Sequence, residues 1–175
     1  MPAQKDLVEK KRTQLFSLAW PVILLGWVAL ALALAGGPAR AADKYPPSQG
    51  TAVNDFAHVI DPANAAKMEG LSREILEKTG AAVVVVTVPE LGPGEEITQY
   101  VNGLYQAWGI GKKGEDKGVL IFLAVKERKI RIETGYGVEG VLTDGIVGEI
   151  LDRFVIPHLK AGDTGKGLAN AVFAC

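Results

Sequence analysis

Cysteine occurs once, as Cys175, so the chain has no internal disulfide and no zinc site built on several thiolates. Histidine is almost as scarce: His58 and His158 stand 100 residues apart, and neither falls in a catalytic motif. The G-x-S-x-G signature of a nucleophile elbow is absent, and Ser48 and Ser72 have no evident base in sequence. An excess of one charge is missing too. Nineteen Lys and Arg face twenty Asp and Glu, a net charge of −1, which excludes a strongly basic nucleic-acid binder and an acidic disordered tail. There is no internal repeat, and no D-x-D-x-D-G loop, which excludes an EF-hand.

What is present divides at Ala41. Lys5, Lys10, Lys11 and Arg12 precede Leu15 to Ala35, where 18 of 21 residues are apolar and none is charged. Gly36, Gly37 and Pro38 then break the helix, and Ala39-Arg40-Ala41 has the small-x-small pattern of a signal-peptidase site. Residues 1–41 read as a secretory signal peptide. The apolar run is long for one, so the alternative is an uncleaved anchor in the cytoplasmic membrane with its basic end inside. Both readings export residues 42 onward to the periplasm or another extracytoplasmic space. Without the leader, 14 bases face 18 acids, a net charge of −4 over 134 residues. That length suffices for one domain with its own core.

Residues 42–50, with Pro46-Pro47, read as an extended linker. Asp61-Pro62 predicts a helix start, with Met68, Leu71 and Ile75 on one stripe and a stop at Gly80. Ala82 to Val88 is a β-branched run suited to a strand covered on both faces. A second helix carries Ile97, Val101, Leu104 and Trp108 inward and stops at Gly109. Val119 to Val125 and Ile130 to Thr134, joined by a short charged turn, predict an antiparallel hairpin whose second strand lies near an edge. Thr143 caps a helix expected to turn Ile146, Val147, Ile150, Leu151 and Phe154 inward and to end at Pro157. A last helix begins near Asp163 or Thr164, places Leu168, Val172 and Cys175 on one side, and is expected to be cut short in this chain. The order of elements predicts an α/β fold, a sandwich with a small mixed sheet.

Gly135-Tyr136-Gly137-Val138-Glu139-Gly140 matches G-x-G-x-x-G, but its strand closes a hairpin instead of opening a βαβ unit, so no nucleotide cofactor is expected. Gly109 to Lys113 lacks the Ser or Thr of a phosphate loop and reads as a solvated loop. The carboxylates are more informative. Asp55, Asp116, Glu139 and Asp144 all fall in loops or at element ends, where binding residues concentrate. Hard oxygen donors on flexible glycine-bearing loops suit Ca2+, whereas the plainer alternative is an Asx-turn at Asp55, a turn at Asp116 and a cap at Asp144. Arg131 either pairs with Glu133 or holds an anionic group.

Five ordered segments carry a family resemblance: Val53-Asn54-Asp55-Phe56-Ala57, Thr79 to Val88, Trp108 to Lys113, Asp116-Lys117-Gly118-Val119-Leu120, and Arg131 to Gly140 with Thr143-Asp144. From about Thr51 to the end they resemble the TPM domain, a family of bacterial exported proteins with a thylakoid-lumen branch linked to photosystem II repair. The resemblance implies a three-layer, Rossmann-like α/β/α sandwich outside the cytoplasm and close to a membrane. It implies a Ca2+-responsive accessory module for assembly or quality control of membrane proteins, with membrane proteins or a membrane-associated complex as partners. The alternative it implies is a weak, metal-assisted acid phosphatase. Candidate metal ligands carry over to Asp55, Asp116, Glu139 and Asp144, while no catalytic residue is assigned. Lys117 departs from the family, which more often has Asn there, and puts an ammonium beside Asp116.

Overall fold

The computed structural model describes residues 44–111 and 114–175. The leader, with its apolar run and the Ala39-Arg40-Ala41 site, lies outside the described residues, as do Lys112 and Lys113. In chain order the elements are β1 (Val53–Asp55), α1 (Pro62–Thr79), β2 (Ala82–Val88), α2 (Ile97–Trp108), β3 (Gly118–Ala124) and β4 (Lys129–Thr134). They continue with a 3-10 turn (Tyr136–Val138), α3 (Asp144–Ile150), a π-helical turn (Leu151–Val155), α4 (Ile156–Lys160) and α5 (Thr164–Ala174). The sheet order is β1-β2-β3-β4; the first three strands run parallel and β4 returns antiparallel on β3, the expected hairpin.

Period-two alternation divides the strands between two cores. Val83, Val85, Val119, Ile121 and Leu123 face α1 and α5, with Met68, Leu168 and Val172 packed between. Val86, Val88, Leu120, Phe122 and Ala124 face α2, through Tyr100, Val101, Leu104 and Tyr105. This is the three-layer α/β/α sandwich with a small mixed sheet. The strands advance in one direction across the sheet while α1 and α2 lie on opposite faces, so the β1-α1-β2 and β2-α2-β3 crossovers differ in hand.

Three features depart from the sequence reading. β1 was not expected; it is a three-residue edge strand entered through Ala52, and the N–H groups of Ala52 and Val53 donate to the Glu69 carboxylate of α1. The segment read as a linker is packed from Tyr45 onward: the Tyr45 ring meets Tyr100 edge-on at 5.1 Å, and Trp108 Nε1 donates to Pro46 O. The helix after Thr143 does not end at Pro157. The proline lacks an N–H and its ring crowds the carbonyl four residues back, and here the chain widens by a π turn and continues helically to Lys160. That turn rotates the buried stripe, so Val155 is buried in place of Phe154, which was expected inward and is exposed; Ile146, also expected inward, is exposed in the first turn of α3.

Candidate functional site

Register places the four candidate carboxylates. Asp55 lies beside Thr87 at the carboxyl ends of β1 and β2. The segments leaving these two strands diverge to opposite faces, which makes this crevice the switch point where open α/β sheets hold ligands. Here Asp55 is committed internally. Its Oδ1 accepts from Val59 N at 3.2 Å, its Oδ2 accepts from Ile60 N at 2.9 Å, and the Thr87 hydroxyl donates to Oδ1. Thr87 Oγ1 in turn accepts from Ala57 N at 3.2 Å. The pair fastens the 56–60 loop, whose turn puts His58 at φ 54°.

Asp116 stands at the other end of the sheet, two residues before Gly118, which is in register with Ala82. From Ala82 to Thr87 the strand rises about 16 Å at 3.3 Å per residue. Asp116 adopts φ 48°, which its short side chain tolerates. Its Oδ1 accepts from the Tyr105 hydroxyl and its Oδ2 from Tyr136 N, both at 3.0 Å, while its carbonyl accepts from Gly137 N at 3.0 Å. Two glycines make this closeness possible. A Cβ on Gly135 would lie 2.2 Å from Asp116 O and from the Tyr105 hydroxyl, and one on Gly137 would lie 2.1 Å from Glu115 O. Burial, then the bond to Asp116, then the charges of Asp116 and Glu133, hold the Tyr105 phenol well above its ordinary range.

The loop tied down in this way displays apolar side chains: Tyr136 is 82% exposed and Val141 74%. Beneath it, on the α1 face, lies a cavity of about 310 Å3 bounded by the last turns of α1, the starts of β2 and β3, and Cys175. Glu139 is exposed on the same loop, and Asp144 is exposed in the first turn of α3, where the Thr143 hydroxyl accepts from Ile146 N. The structure therefore brings the Glu139 loop to Asp116 and leaves Asp55 at the far end. All four carboxylates cannot share one ion. Among the described residues, no group of three or more His, Cys, Asp or Glu side chains is placed to hold a metal. Arg131 is paired with Glu133, through Nε at 2.9 Å and its guanidinium at 2.8 Å, and Asn102 Nδ2 donates to the other Glu133 oxygen. Thr87 and Tyr105 were missed from sequence. The one signal for Tyr105 is a hydroxyl-bearing aromatic adjoining the buried α2 stripe; Thr87 gives none within a run of valines.

Residues 53–175 match the TPM domain family. The N-terminal domain of a P. gingivalis protein, solved by solution NMR, is 34% identical over 70% of this chain and 77% of that one, with a TM-score of 0.65. The N-terminal domain of the cg2496 protein from Corynebacterium glutamicum has 16% identity, 74% and 80% coverage and a TM-score of 0.58. The BA42 protein of Bizionia argentinensis has 15% identity, 66% and 77% coverage and a TM-score of 0.57, and these last two bear on the fold alone. No curated protein gives a significant match. Motif order, fold and these likenesses agree that the chain belongs to the TPM domain family.

Proposed function

We propose that this chain is a non-catalytic binding module, acting outside the cytoplasm and close to a membrane in the assembly or quality control of membrane proteins. The observation that carries this reading is the loop after β4. Asp116 holds its backbone in place, and Tyr136 and Val141 stand out from it. A rigid loop presenting an exposed aromatic and a β-branched side chain binds a partner with little ordering cost. The leader supports the location, since cleavage and anchoring both export the domain.

A hydrolase needs a nucleophile or an activated water and a group to hold its anion. Arg131 is engaged by Glu133, the Ser72 hydroxyl is buried within α1, and both oxygens of Asp55 and of Asp116 accept bonds from the protein. No step of the proposed role is routed through calcium. The test is photo-crosslinking in membranes of the source cell. A photoreactive residue at Tyr136 or Val141 of the full chain is expected to give discrete membrane-protein adducts. One at Glu90, an exposed residue in the loop after β2, is expected to give none. Equal labelling from all three positions overturns the reading.

A further inference from the structure

The two edges of the sheet are not alike. β1 is three residues long, and the Glu69 carboxylate takes the N–H groups of Ala52 and Val53 at its entrance. β4 is six residues long, in unbroken register with β3, and has no proline, glycine or bulge to blunt it. Val125 N donates to Val88 O in β2, and Gly135 N donates to Gly118 O. Alternation from these two bonds turns the N–H and C=O groups of Lys129, Arg131 and Glu133 toward β3, and those of Ile130, Ile132 and Thr134 outward. Among the described residues, no hydrogen-bond partner reaches the outward groups.

An open edge of this kind accepts another strand, and its side chains are complementary to themselves. Arg131 and Glu133 lie on the α2 side with opposite charge, while Ile130 and Ile132 pack into the α1-side core. We propose that β4 pairs antiparallel with β4 of a second copy, about a two-fold axis at Ile132, joining two four-stranded sheets into one. In this register Ile130 meets Thr134 and Ile132 meets itself, so all the outward groups bond, and Arg131 stands opposite Glu133 twice. Each Arg131 keeps its own Glu133 and gains that of the second copy, so the four charges alternate in sign. A slip of two residues either way sets Arg131 against Arg131 or Glu133 against Glu133, which is repulsive. Above the edge, Asn102 reaches Glu133, and Gln99 and Gln106 share its face of α2; all three are exposed and uncharged, so like charges do not hold the second copy off there. The pairing does not use the loop after β4, so it and the partner-binding role can fail separately.

The full chain is reconstituted in phosphatidylcholine vesicles with Cys175→Ser, so that introduced cysteines are its only thiols. Chains with Arg131→Cys and chains with Glu133→Cys are oxidised separately and mixed. Opposed positions that exchange no hydrogen bonds lie about 4.5 Å apart at Cα, within disulfide reach, whereas like positions are diagonal at about 7–8 Å, beyond it. The mixture is therefore expected to give about fivefold more disulfide dimer than either variant alone. In a second arm, donor and acceptor dyes attached through Glu90→Cys report association by energy transfer. Arg131→Glu and Glu133→Arg each set like charges opposite one another and are expected to weaken association about tenfold. Mixed together they restore it, because each supplies the charge the other lacks. Both variants lose the internal ion pair and mixing does not return it, so rescue on mixing separates pairing from folding. Two results overturn the proposal: the mixed cysteine variants crosslink no better than either alone, or the mixed charge variants associate no more tightly than either alone. A purified chain that stays monomeric gives the first of these and leaves the edge to a strand of another protein.

Discussion

Asp116 shows what a loop carboxylate contributes through hydrogen bonds to its own chain. One side chain accepts from Tyr105 and from the Tyr136 amide, and its carbonyl takes the Gly137 amide, so a single residue joins α2, the approach to β3 and the exit from β4. Replacing it with alanine leaves the Tyr105 hydroxyl and an amide short of partners, and we expect a loss of about 1–2 kcal/mol in urea unfolding. Gly135→Ala is expected to cost more, about 2–3 kcal/mol, because its methyl meets a backbone oxygen that cannot swing aside. Tyr105 adds a pH dependence. Its phenol, that of Tyr100 and the Cys175 thiol are all raised in the folded state, chiefly by burial. The unfolded chain therefore releases these protons first, and the stability they contribute is complete below the unfolded values and falls as pH rises past about 9 for the thiol and about 10 for the phenols. Urea unfolding between pH 8 and 11 should show this decline, and Tyr105→Phe should make it shallower.

Among the elements, the long apolar patterns were legible and the short polar ones were not. Ala82 to Val88 and Val119 to Val125 declared themselves by unbroken apolar runs because both faces of β2 and β3 are covered. β1 gave no such signal. Of its three residues two are polar, and Asn54 is buried only because it bonds to Gln49 N and to Thr51 O, pairings invisible in sequence. The inward set of the helix after Thr143 was misread at Phe154, since a fixed 3.6-residue period cannot anticipate a π turn, and at Ile146, which lies at the rim of the buried stripe. The candidate site was half legible. All four carboxylates lie in loops or at element ends, but sequence spacing carries no information on which end of a sheet a loop occupies. The helix faces allow a direct check. Leu104→Ala, in the middle of α2 and fully buried, should cost about 2–5 kcal/mol, while Val141→Ser, on the exposed loop, should stay within about 0.5 kcal/mol in the same urea titration.

At the scale of the whole molecule, the sandwich separates two fastened loops by the length of its sheet. At the carboxyl ends of β1 and β2, Asp55 and Thr87 close the switch-point crevice on their own backbone. At the opposite end, Asp116 closes a loop that leaves Tyr136 and Val141 outside and an apolar cavity beneath. Asp55 and Asp116 are thus parts of two separate fasteners, and the loop that Asp116 holds leaves Tyr136 and Val141 exposed. The most direct measurement is a calcium titration of the full chain followed at its backbone amides by NMR. The account predicts that the amides of Val59 and Ile60 and those of Tyr136 and Gly137 share no common binding curve up to millimolar Ca2+. A single dissociation constant fitting both groups, lost at both in Asp116→Asn, would contradict it.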